Sequence, residues 1–339
     1  MADLDLAEQV GQLLMVAVGS TELTRGEADT LADVRAGSAI LLGNSTRGVK
    51  GTRRVTDDVR EAMARPSGVR PLVAADQEGG LVQRLQGEGF TTIPAATVQA
   101  GQSDRTLTRN AARWGAELRR AGIDADLGPV ADVVPRSMVS SNAPVGQLRR
   151  GYGPDPKTVA AKVTAFTRGM DDAGVATAVK HFPGLGRVRG NTDFATRVVD
   201  ATTTRNDPAL AGFDAAIEAD IDMVMVSSAY YSRIDAKRRA AFSPVVIDAM
   251  LREDRRFTGV VISDDLSAAA MRDLPPGERA VRFIRAGGDL AIVGDPGQAR
   301  AMASALTTEA KQDPEFADRI TESARRVVEL KADRGLAGC

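Results

Sequence analysis

Eight short runs of apolar, often β-branched residues recur along this 339-residue chain, and stretches with helical spacing lie between them. Most runs are apolar at every position instead of at alternate positions, which is typical of strands buried on both faces. Several helical stretches end on Ala-Gly, as helix C-termini do. The predicted strands are residues 12–19, 38–43, 71–77, 125–132, 177–182, 223–228, 259–265 and 290–294.

Strand–helix alternation repeated eight times predicts an α/β protein whose parallel sheet closes into a TIM-like (β/α)8 barrel. The main alternative is an open doubly wound sheet, which usually carries a G-x-G-x-x-G turn after its first strand. The sequence at that point reads VAVGSTELTRG, and it lacks the pattern. Because no linker or low-complexity segment interrupts the chain, we expect residues 1–339 to form a single barrel domain.

The composition excludes several classes of function. The formal net charge is −1, and Phe, Trp and Tyr together make up only 4% of residues, so a nucleic-acid partner is not expected. No segment reaches the roughly 18 apolar residues that span a bilayer. The single cysteine, Cys339, excludes an internal disulfide and a cysteine-rich metal site, and we assign it no function.

Location and assembly are less constrained by the sequence. The first twenty residues are acidic, and their apolar run is too short for a signal peptide, which favours a cytoplasmic protein. A mature exported protein or lipoprotein whose signal had been removed would begin in the same way. We expect a monomer.

Charged residues are concentrated where the predicted strands end. Strand three ends at Asp76, strand four at Asp132, strand five at Lys180 and His181, and strand seven at Asp264 and Asp265. In a barrel these ends meet at one mouth, where such acceptors and donors suit a neutral polyhydroxylated ligand. The glycine-rich nest that binds phosphate is missing. One histidine with scattered acids lacks the spacing of metal ligands, so we expect neither a metal nor a cofactor.

Five motifs in this order, DQEGGLVQRL, GPVADV, RGYGPDP, KHFPGLG and GVVISDDLS, resemble those of glycoside hydrolase family 3. The resemblance covers about residues 5–330 and is strongest to the single-barrel bacterial β-N-acetylglucosaminidases, whose fold is a TIM-like barrel. It implies a retaining hydrolase that removes terminal β-linked N-acetylglucosamine, or a related N-acetylhexosamine, from a small carbohydrate or muropeptide-like substrate. Alternatives are β-glucosidase or β-xylosidase specificity and a non-catalytic glycan-binding protein.

The same resemblance implies roles for individual residues. Asp264 matches the family nucleophile, and Asp265 is expected to support it. Asp132 is expected either to orient Lys180 or Arg150 or to touch the ligand. The residues implied to bind the sugar are Asp76, Arg84, Arg150, Lys180 and His181.

The loop after KHFPG departs from the family pattern. In the N-acetylglucosaminidases it usually reads G-H-G…D-S-H, and the last histidine, held by the aspartate two residues earlier, is the acid/base. Here Leu185 replaces the first histidine, and the triplet reads Asn191-Thr192-Asp193. We favour Asp193 as the acid/base, with the neutral amide of Asn191 hydrogen-bonded to it without like-charge repulsion.

Two points about this loop stay open. If Asp193 is not the acid/base, the role passes to a group such as Glu78, Asp200 or another chain, or the activity is lost. The loop also carries Arg187, Arg189 and Arg197. These arginines either form a solvated face or contact an acidic group on the aglycone.

Overall fold

Eight parallel strands surrounded by helices make up the computed structural model, which describes residues 4–338 and therefore leaves Cys339 outside. Each strand falls within, or within one residue of, one of the eight predicted runs. The shortest, β4, stops six residues before the predicted end. Numbered along the barrel, the strands are β1 (Leu14–Gly19), β2 (Ser38–Leu42), β3 (Leu72–Ala75), β4 (Ala125–Asp126), β5 (Ala176–Phe182), β6 (Met223–Val226), β7 (Val260–Ser263) and β8 (Ala291–Val293).

The sheet closes on itself. Each strand from β1 to β6 pairs in parallel with the next one along the chain, and β8 pairs with β1. A parallel bridge between Ile262 and Leu290, with the amide of Ser263 donating to the carbonyl of Leu290 at 3.0 Å, joins β7 to β8. The predicted TIM-like barrel is therefore confirmed, and the open doubly wound alternative is wrong.

Helices cover the outside of the barrel. A further helical segment, Val245–Asp254, connects β6 to β7, and the last helix closes the chain after β8. The helices are α1 (Leu6–Gln12), α2 (Arg25–Asp33), α3 (Gly48–Ala62), α4 (Ala96–Gln99), α5 (Asp104–Arg120), α6 (Pro156–Asp172), α7 (Ala211–Glu218), α8 (Pro276–Arg285), α9 (Ala299–Gln312) and α10 (Pro314–Asp333).

Both faces of the sheet are buried, which explains why the strands are apolar throughout. In β1, Met15 and Ala17 point into the barrel interior, whereas Leu14, Val16 and Val18 pack against the helices. Residues of α10 join the interior cluster, so this helix closes the end of the barrel where the strands begin. The opposite end, where the strands finish, stays open for the loops.

Those loops contain small sheets of their own. After β3, the strands Gln77–Gly79 and Val82–Gln83 form an antiparallel pair. After β5 and β6, a three-stranded sheet is built from Val199–Asp200, Tyr230–Tyr231 and Asp235–Arg239. These additions hold the long loops in place around the mouth of the barrel.

Candidate active site

One cavity of about 250 Å³ opens at the carboxyl ends of the strands. Asp76 directly follows β3, Lys180 and His181 belong to β5, and Asp264 directly follows β7. The convergence expected from the strand ends is therefore present in the structure. The lining includes all the residues proposed for the site, which are Asp76, Arg84, Arg150, Lys180, His181, Asp193 and Asp264, together with Asp265.

Four charged side chains form a network on one side of the cavity. The buried ammonium group of Lys180 lies 2.6 Å from Asp76 Oδ1 and 2.7 Å from Glu78 Oε1. Arg150 donates two hydrogen bonds to Glu78, at 2.9 and 2.7 Å. Because these carboxylates and cations neutralise each other, the network can stay ionised although it is largely out of water. It holds Asp76 at the cavity wall, where a sugar hydroxyl can reach its carboxylate.

Glu78 is unsuited to acid/base work. Burial opposes its ionisation, but the charges of Arg150 and Lys180 hold the pKa of the Glu78 carboxyl well below its usual range. Both of its oxygens accept hydrogen bonds from these two cations. A carboxylate that stays ionised and fully paired has no proton to give, so the suggestion that Glu78 supplies the acid/base is wrong.

Arg84 adds a third cation, after Lys180 and Arg150, to the cavity lining. Its Nη1 donates to the amide oxygen of Asn44 at 3.1 Å, and its backbone N–H donates to the carbonyl of Asp76 at 3.2 Å. The Nε atom is buried, and it has no partner within residues 4–338. A hydroxyl or carbonyl oxygen of a bound sugar would satisfy such a donor.

The partner of Asp132 differs from the one expected. Its Oδ2 lies 2.8 Å from His181 Nδ1, and its Oδ1 accepts the backbone N–H groups of His181 and Leu185. Asp132 is fully buried and absent from the cavity lining, and its hydrogen-bond partners within residues 4–338 are His181 and Leu185 instead of Lys180 or Arg150. It fixes the imidazole ring instead, and it leaves Nε2 as the ring nitrogen that Asp132 does not engage.

Asp264 and Asp265 follow β7 but differ in their surroundings. Burial raises the pKa of Asp264 to about 6, the charge of His181 opposes this rise, and the charge of Asp193 adds to it. Within the described residues, the one hydrogen bond that the Asp264 carboxylate accepts comes from the backbone N–H of Asp265, at 2.9 Å to Oδ1. The rest of its carboxylate is therefore available to a substrate.

Asp265 ties the loop after β7 to the loop after β8. Its Oδ1 accepts the backbone N–H groups of Ser267 and Gly294, at 2.7 and 2.8 Å. A Cβ on Gly294 would lie 2.2 Å from Asp265 Oδ2, so only a residue without a side chain fits there. This geometry agrees with the supporting position expected for Asp265.

Asp193 lies at the rim on an exposed part of the loop after β5. Asn191 Oδ1 accepts the backbone N–H of Asp193 at 2.9 Å, so it shapes the turn and does not bind the carboxyl group as expected. The carbonyls of Thr192 and Asp193 accept N–H groups from Ala270 and Ala269, at 3.0 and 3.3 Å. The loop thus docks on the segment that follows Asp264, which explains why the charge of Asp193 acts on Asp264.

The other residue suggested as an acid/base, Asp200, is absent from the cavity lining. It is fully buried, and its carboxylate accepts the backbone N–H groups of Thr202 and Thr203 and the hydroxyl of Thr203. Asp200 is therefore a turn-forming residue, and the suggestion that it acts as the acid/base is wrong. Asp193 remains the carboxyl group of this loop that lines the cavity.

The three arginines of the loop have separate surroundings. Arg187 is paired with Asp207 through Nη1 and Nη2 of its guanidinium group, so it is part of the loop framework. The Arg197 guanidinium lies 4.5 Å from the centre of the Tyr230 ring, as in a cation–π contact. Arg189 is exposed. Of these three arginines, Arg189 and Arg197 present their charge on the loop surface.

Sequence reasoning missed two residues that shape the site. Asn142 is fully buried, and its amide nitrogen donates to the carbonyls of Leu185 and Val188, both at 2.7 Å. Asp126, in β4, accepts the backbone N–H of Gln77 at 2.9 Å, and burial raises its pKa to about 7. An acid inside an otherwise apolar strand is a signal that could have revealed Asp126, whereas no local pattern marks Asn142.

Neither a metal centre nor a membrane span is found in the part of the chain that the structure describes. Within residues 4–338, no group of three or more His, Cys, Asp or Glu side chains could hold a metal ion. No helix in the same range is long and apolar enough to cross a bilayer.

Comparison with known proteins agrees with the fold and the motifs. The model of the glycosyl hydrolase family 3 N-terminal domain matches residues 5–330. A β-hexosaminidase of Stenotrophomonas maltophilia strain K279a is 34% identical over 272 residues, which cover 76% of each chain. The crystal structure of the β-N-acetylhexosaminidase from Beutenbergia cavernae DSM 12333 has a TM-score of 0.96 at 42% identity, and covers 98% of this chain and 100% of that one. The chain belongs to glycosyl hydrolase family 3.

A further solved structure extends the comparison. The family 3 β-N-acetylglucosaminidase from Paenibacillus sp. strain FPU-7 has a TM-score of 0.86 at 29% identity. It matches 99% of this chain, whereas this chain covers 64% of that longer one. The barrel described here therefore corresponds to one part of the larger protein.

Proposed function

We propose that this protein is a retaining β-N-acetylhexosaminidase that removes terminal β-linked N-acetylglucosamine, or a related N-acetylhexosamine, from a small carbohydrate. The observation that carries the proposal is that the Asp264 carboxylate shares one cavity with the network of Asp76 and Lys180. The family membership and the names of the relatives support it. No cofactor is required by the steps below.

Binding of the terminal sugar uses the polar wall of the cavity. Asp76 accepts hydrogen bonds from ring hydroxyls, while Lys180, Arg84 and His181 Nε2 are placed to contact the sugar oxygens. Arg150 acts through Glu78, because its guanidinium holds the carboxylate that in turn holds Lys180. These contacts orient the anomeric carbon towards Asp264.

The first chemical step forms a glycosyl-enzyme. A carboxylate oxygen of Asp264 attacks the anomeric carbon, the bond from that carbon to the aglycone oxygen breaks, and Asp193 gives its proton to the leaving oxygen. When Asp193 is ionised, its charge raises the pKa of Asp264, so the loop that carries the acid/base also affects the nucleophile. Asp264 must be ionised for the attack.

The second step uses water. Asp193, now ionised, takes a proton from a water molecule whose oxygen attacks the anomeric carbon, and the bond to Asp264 breaks. Inorganic phosphate is an anion and would be repelled by the anionic base, whereas water is neutral. We therefore propose a hydrolase with little or no phosphorylase activity.

The same proposal includes the chemical character of the aglycone. Arg189 and Arg197 lie on the surface of the loop that carries Asp193, where they suit an aglycone with an acidic group, as in a muropeptide-like substrate.

The protein acts as a monomeric single barrel domain in the cytoplasm. Gel filtration with light scattering checks the assembly state, and cell fractionation checks the location.

A panel of chromogenic glycosides tests the function. We expect turnover of the β-N-acetylglucosaminide and little turnover of the β-glucoside and β-xyloside. The variant Asp264→Asn should lose activity by at least about a thousandfold, because it lacks the attacking oxygen anion. A fluorinated mechanism-based sugar should label the peptide that contains Asp264.

The same panel separates the alternatives. Preference for the glucoside or xyloside would assign the other family specificity. Binding of N-acetylglucosamine without turnover of any glycoside would indicate a glycan-binding protein. Labelling of another residue, or full activity of Asp264→Asn, would remove Asp264 from the proposed mechanism.

A further inference from the structure

A second cavity, of about 360 Å³, lies outside the catalytic one and shares no lining residue with it. It is formed between the strand Asp235–Arg239, the loop after β7 and the helix α8. Tyr230 and Phe242 provide aromatic surface in its wall. A cavity of this size is within the range of small-molecule sites.

The lining of this cavity is strongly cationic. Five cationic side chains line it, and Asp273 is the single acid among the lining residues. Lys237 has no ion-pair partner among residues 4–338, and Arg197, which stacks on Tyr230 next to the cavity, has none either. The five lining cations are Lys237, Arg238, Arg239, Arg282 and Arg285.

The carboxylates that pair with Arg282 and Arg285 lie outside the lining. Arg282 is paired with Glu278, and Arg285 with Glu309 and Asp313, on or beside the helices α8 to α10. None of these three acids lines the cavity. Exposed pairs of this kind contribute little free energy, so their guanidinium groups can also engage an incoming anion.

Arg239 supplies the strongest indication of a ligand. Only 5% of this residue is exposed, and its Nη2 donates to Asp273 at 2.7 Å. Its Nε atom is buried and has no hydrogen-bond partner in the described range. The guanidinium also lies 5.0 Å from the centre of the Tyr230 ring. A buried donor without an acceptor is costly, and an anionic oxygen in the cavity would satisfy it.

We propose that this cavity is a binding site for a small organic anion, distinct from the catalytic site. The anionic group, a carboxylate or a phosphate, pairs with Arg239 and with the more exposed Lys237 and Arg282. The body of the ligand rests on Tyr230 and Phe242. The proposal does not depend on the glycosidase activity, because it rests on the charge and burial of a separate cavity.

Calorimetric titration with citrate and with glycerol 3-phosphate, at constant ionic strength adjusted with sodium chloride, tests the proposal. We expect saturable binding of at least one of them, at one molecule per chain. Binding of citrate alone would identify a carboxylate site, and binding of glycerol 3-phosphate alone a phosphate site. Absence of saturable binding for both anions would overturn the proposal.

Variants locate the bound anion. Lys237→Gln and Arg282→Gln should each weaken binding by at least about fivefold, since each removes one charge-assisted hydrogen bond. Arg53→Gln is the matched control, because Arg53, like Arg282, is half-exposed and paired with an acid four residues away on a helix. It should leave binding unchanged. If Arg84→Gln abolishes binding while Lys237→Gln and Arg282→Gln do not, the anion occupies the catalytic cavity and the proposal fails.

Discussion

Asp264 is the residue whose charge state sets the pH range of the proposed reaction. Burial raises its pKa to about 6, and the negative charge of Asp193 contributes to the rise. Because the attacking carboxylate must be ionised, activity should fall as the pH drops through about 6. The structure thus links the acid side of the pH profile to a residue on a different loop.

Replacing Asp193 by Asn should move that acid limb to lower pH. The substitution removes a like charge, so the pKa of Asp264 falls, by roughly half a unit if the repulsion is worth about 0.7 kcal/mol. The measurement is kcat/KM against pH with an activated aryl N-acetylglucosaminide, which does not need the proton. Asp57→Asn, an exposed change on α3, should leave the limb in place. An acid limb that moves to higher pH in Asp193→Asn would contradict the repulsion between Asp193 and Asp264.

The role of Asp193 as the acid is tested by the leaving group. Asp193→Ala should slow alkyl glycosides by at least about a hundredfold and activated aryl glycosides by far less, because only the former need protonation. Azide should restore turnover of the aryl glycosides, since it attacks the glycosyl-enzyme without help from a base. Equal losses on both substrates and no azide rescue would mean that the loop only supports the site.

Most of the site could be predicted from single residues, but their pairings could not. Charged residues at strand ends indicated Asp76, Lys180 and Asp264, because a parallel barrel brings those ends together. The contact between Asp132 and His181 depends on how two adjacent strands and a loop are oriented, which no sequence spacing reports. For the same reason, the sequence leaves Glu78 open as an acid/base, although the fold encloses it between two cations.

At the scale of elements, the loops after β4 and β5 depend on each other. Asn142, in the first loop, donates to two carbonyls of the second and accepts the backbone N–H groups of Val145 and Gly146. Gly186 allows the close approach, because a Cβ there would lie 2.0 Å from the carbonyl oxygen of Val133. The position of Asp193 therefore rests on the loop after β4 as well as on its own.

Asn142→Ala should lower both activity and stability. It leaves three buried backbone groups, and the half-buried N–H of Gly146, without their partner, at a cost of about 1–3 kcal/mol or more, and it frees the loop that carries Asp193. We expect kcat on alkyl glycosides to fall by at least about tenfold and the melting temperature to drop. Gln147→Ala is the control, because this exposed side chain bonds only to the carbonyl of Ser140 on the same loop. Full activity of Asn142→Ala would show that the loops are positioned independently.

The barrel strands could be predicted because each is apolar on both faces. The loop sheets could not, since Val199–Asp200 and Tyr230–Tyr231 are two-residue strands whose pairing joins segments about thirty residues apart. Such short strands have no periodicity to read. The run predicted as strand four is interrupted in the structure, because Ala125–Asp126 form its continuous strand and Val130 pairs with Lys180 only through a separate parallel bridge.

Across the whole molecule, the two ends of the barrel have different roles. The carboxyl end holds the catalytic cavity, whereas the amino end is closed by α10 and by buried polar contacts. There, the carboxylate of Asp289 accepts from Arg252, Arg319 and Arg326, so two helical elements, Val245–Asp254 and α10, are tied to the start of β8. This division, with chemistry at one end and stability at the other, is typical of TIM barrels.

Lys331 makes the stability of the amino end of the barrel depend on pH. It lies on α10, fully buried, and its ammonium nitrogen is 2.6 Å from both Gln12 Oε1 and the carbonyl oxygen of Gly37. Burial lowers its pKa to about 7, and the charge of Asp124 opposes this only in part. In the unfolded chain a lysine titrates near 10.4, so between these two values the unfolded state binds more protons than the folded state. Stability contributed by this residue therefore increases as the pH rises above about 7.

Lys331→Met should remove this dependence. The variant leaves the acceptors of Gln12 and Gly37 unpaired at every pH, but it no longer buries a lysine that must lose its proton. Relative to the variant, the wild type should gain about 1.4 kcal/mol of unfolding free energy per pH unit above pH 7, or about 2 kcal/mol between pH 7 and 8.5. Urea unfolding of both proteins at several pH values measures the difference. Lys311→Met, at an exposed lysine of α9, should show no such slope. A difference between wild type and Lys331→Met that stays constant with pH would mean that Lys331 keeps its charge in the folded barrel.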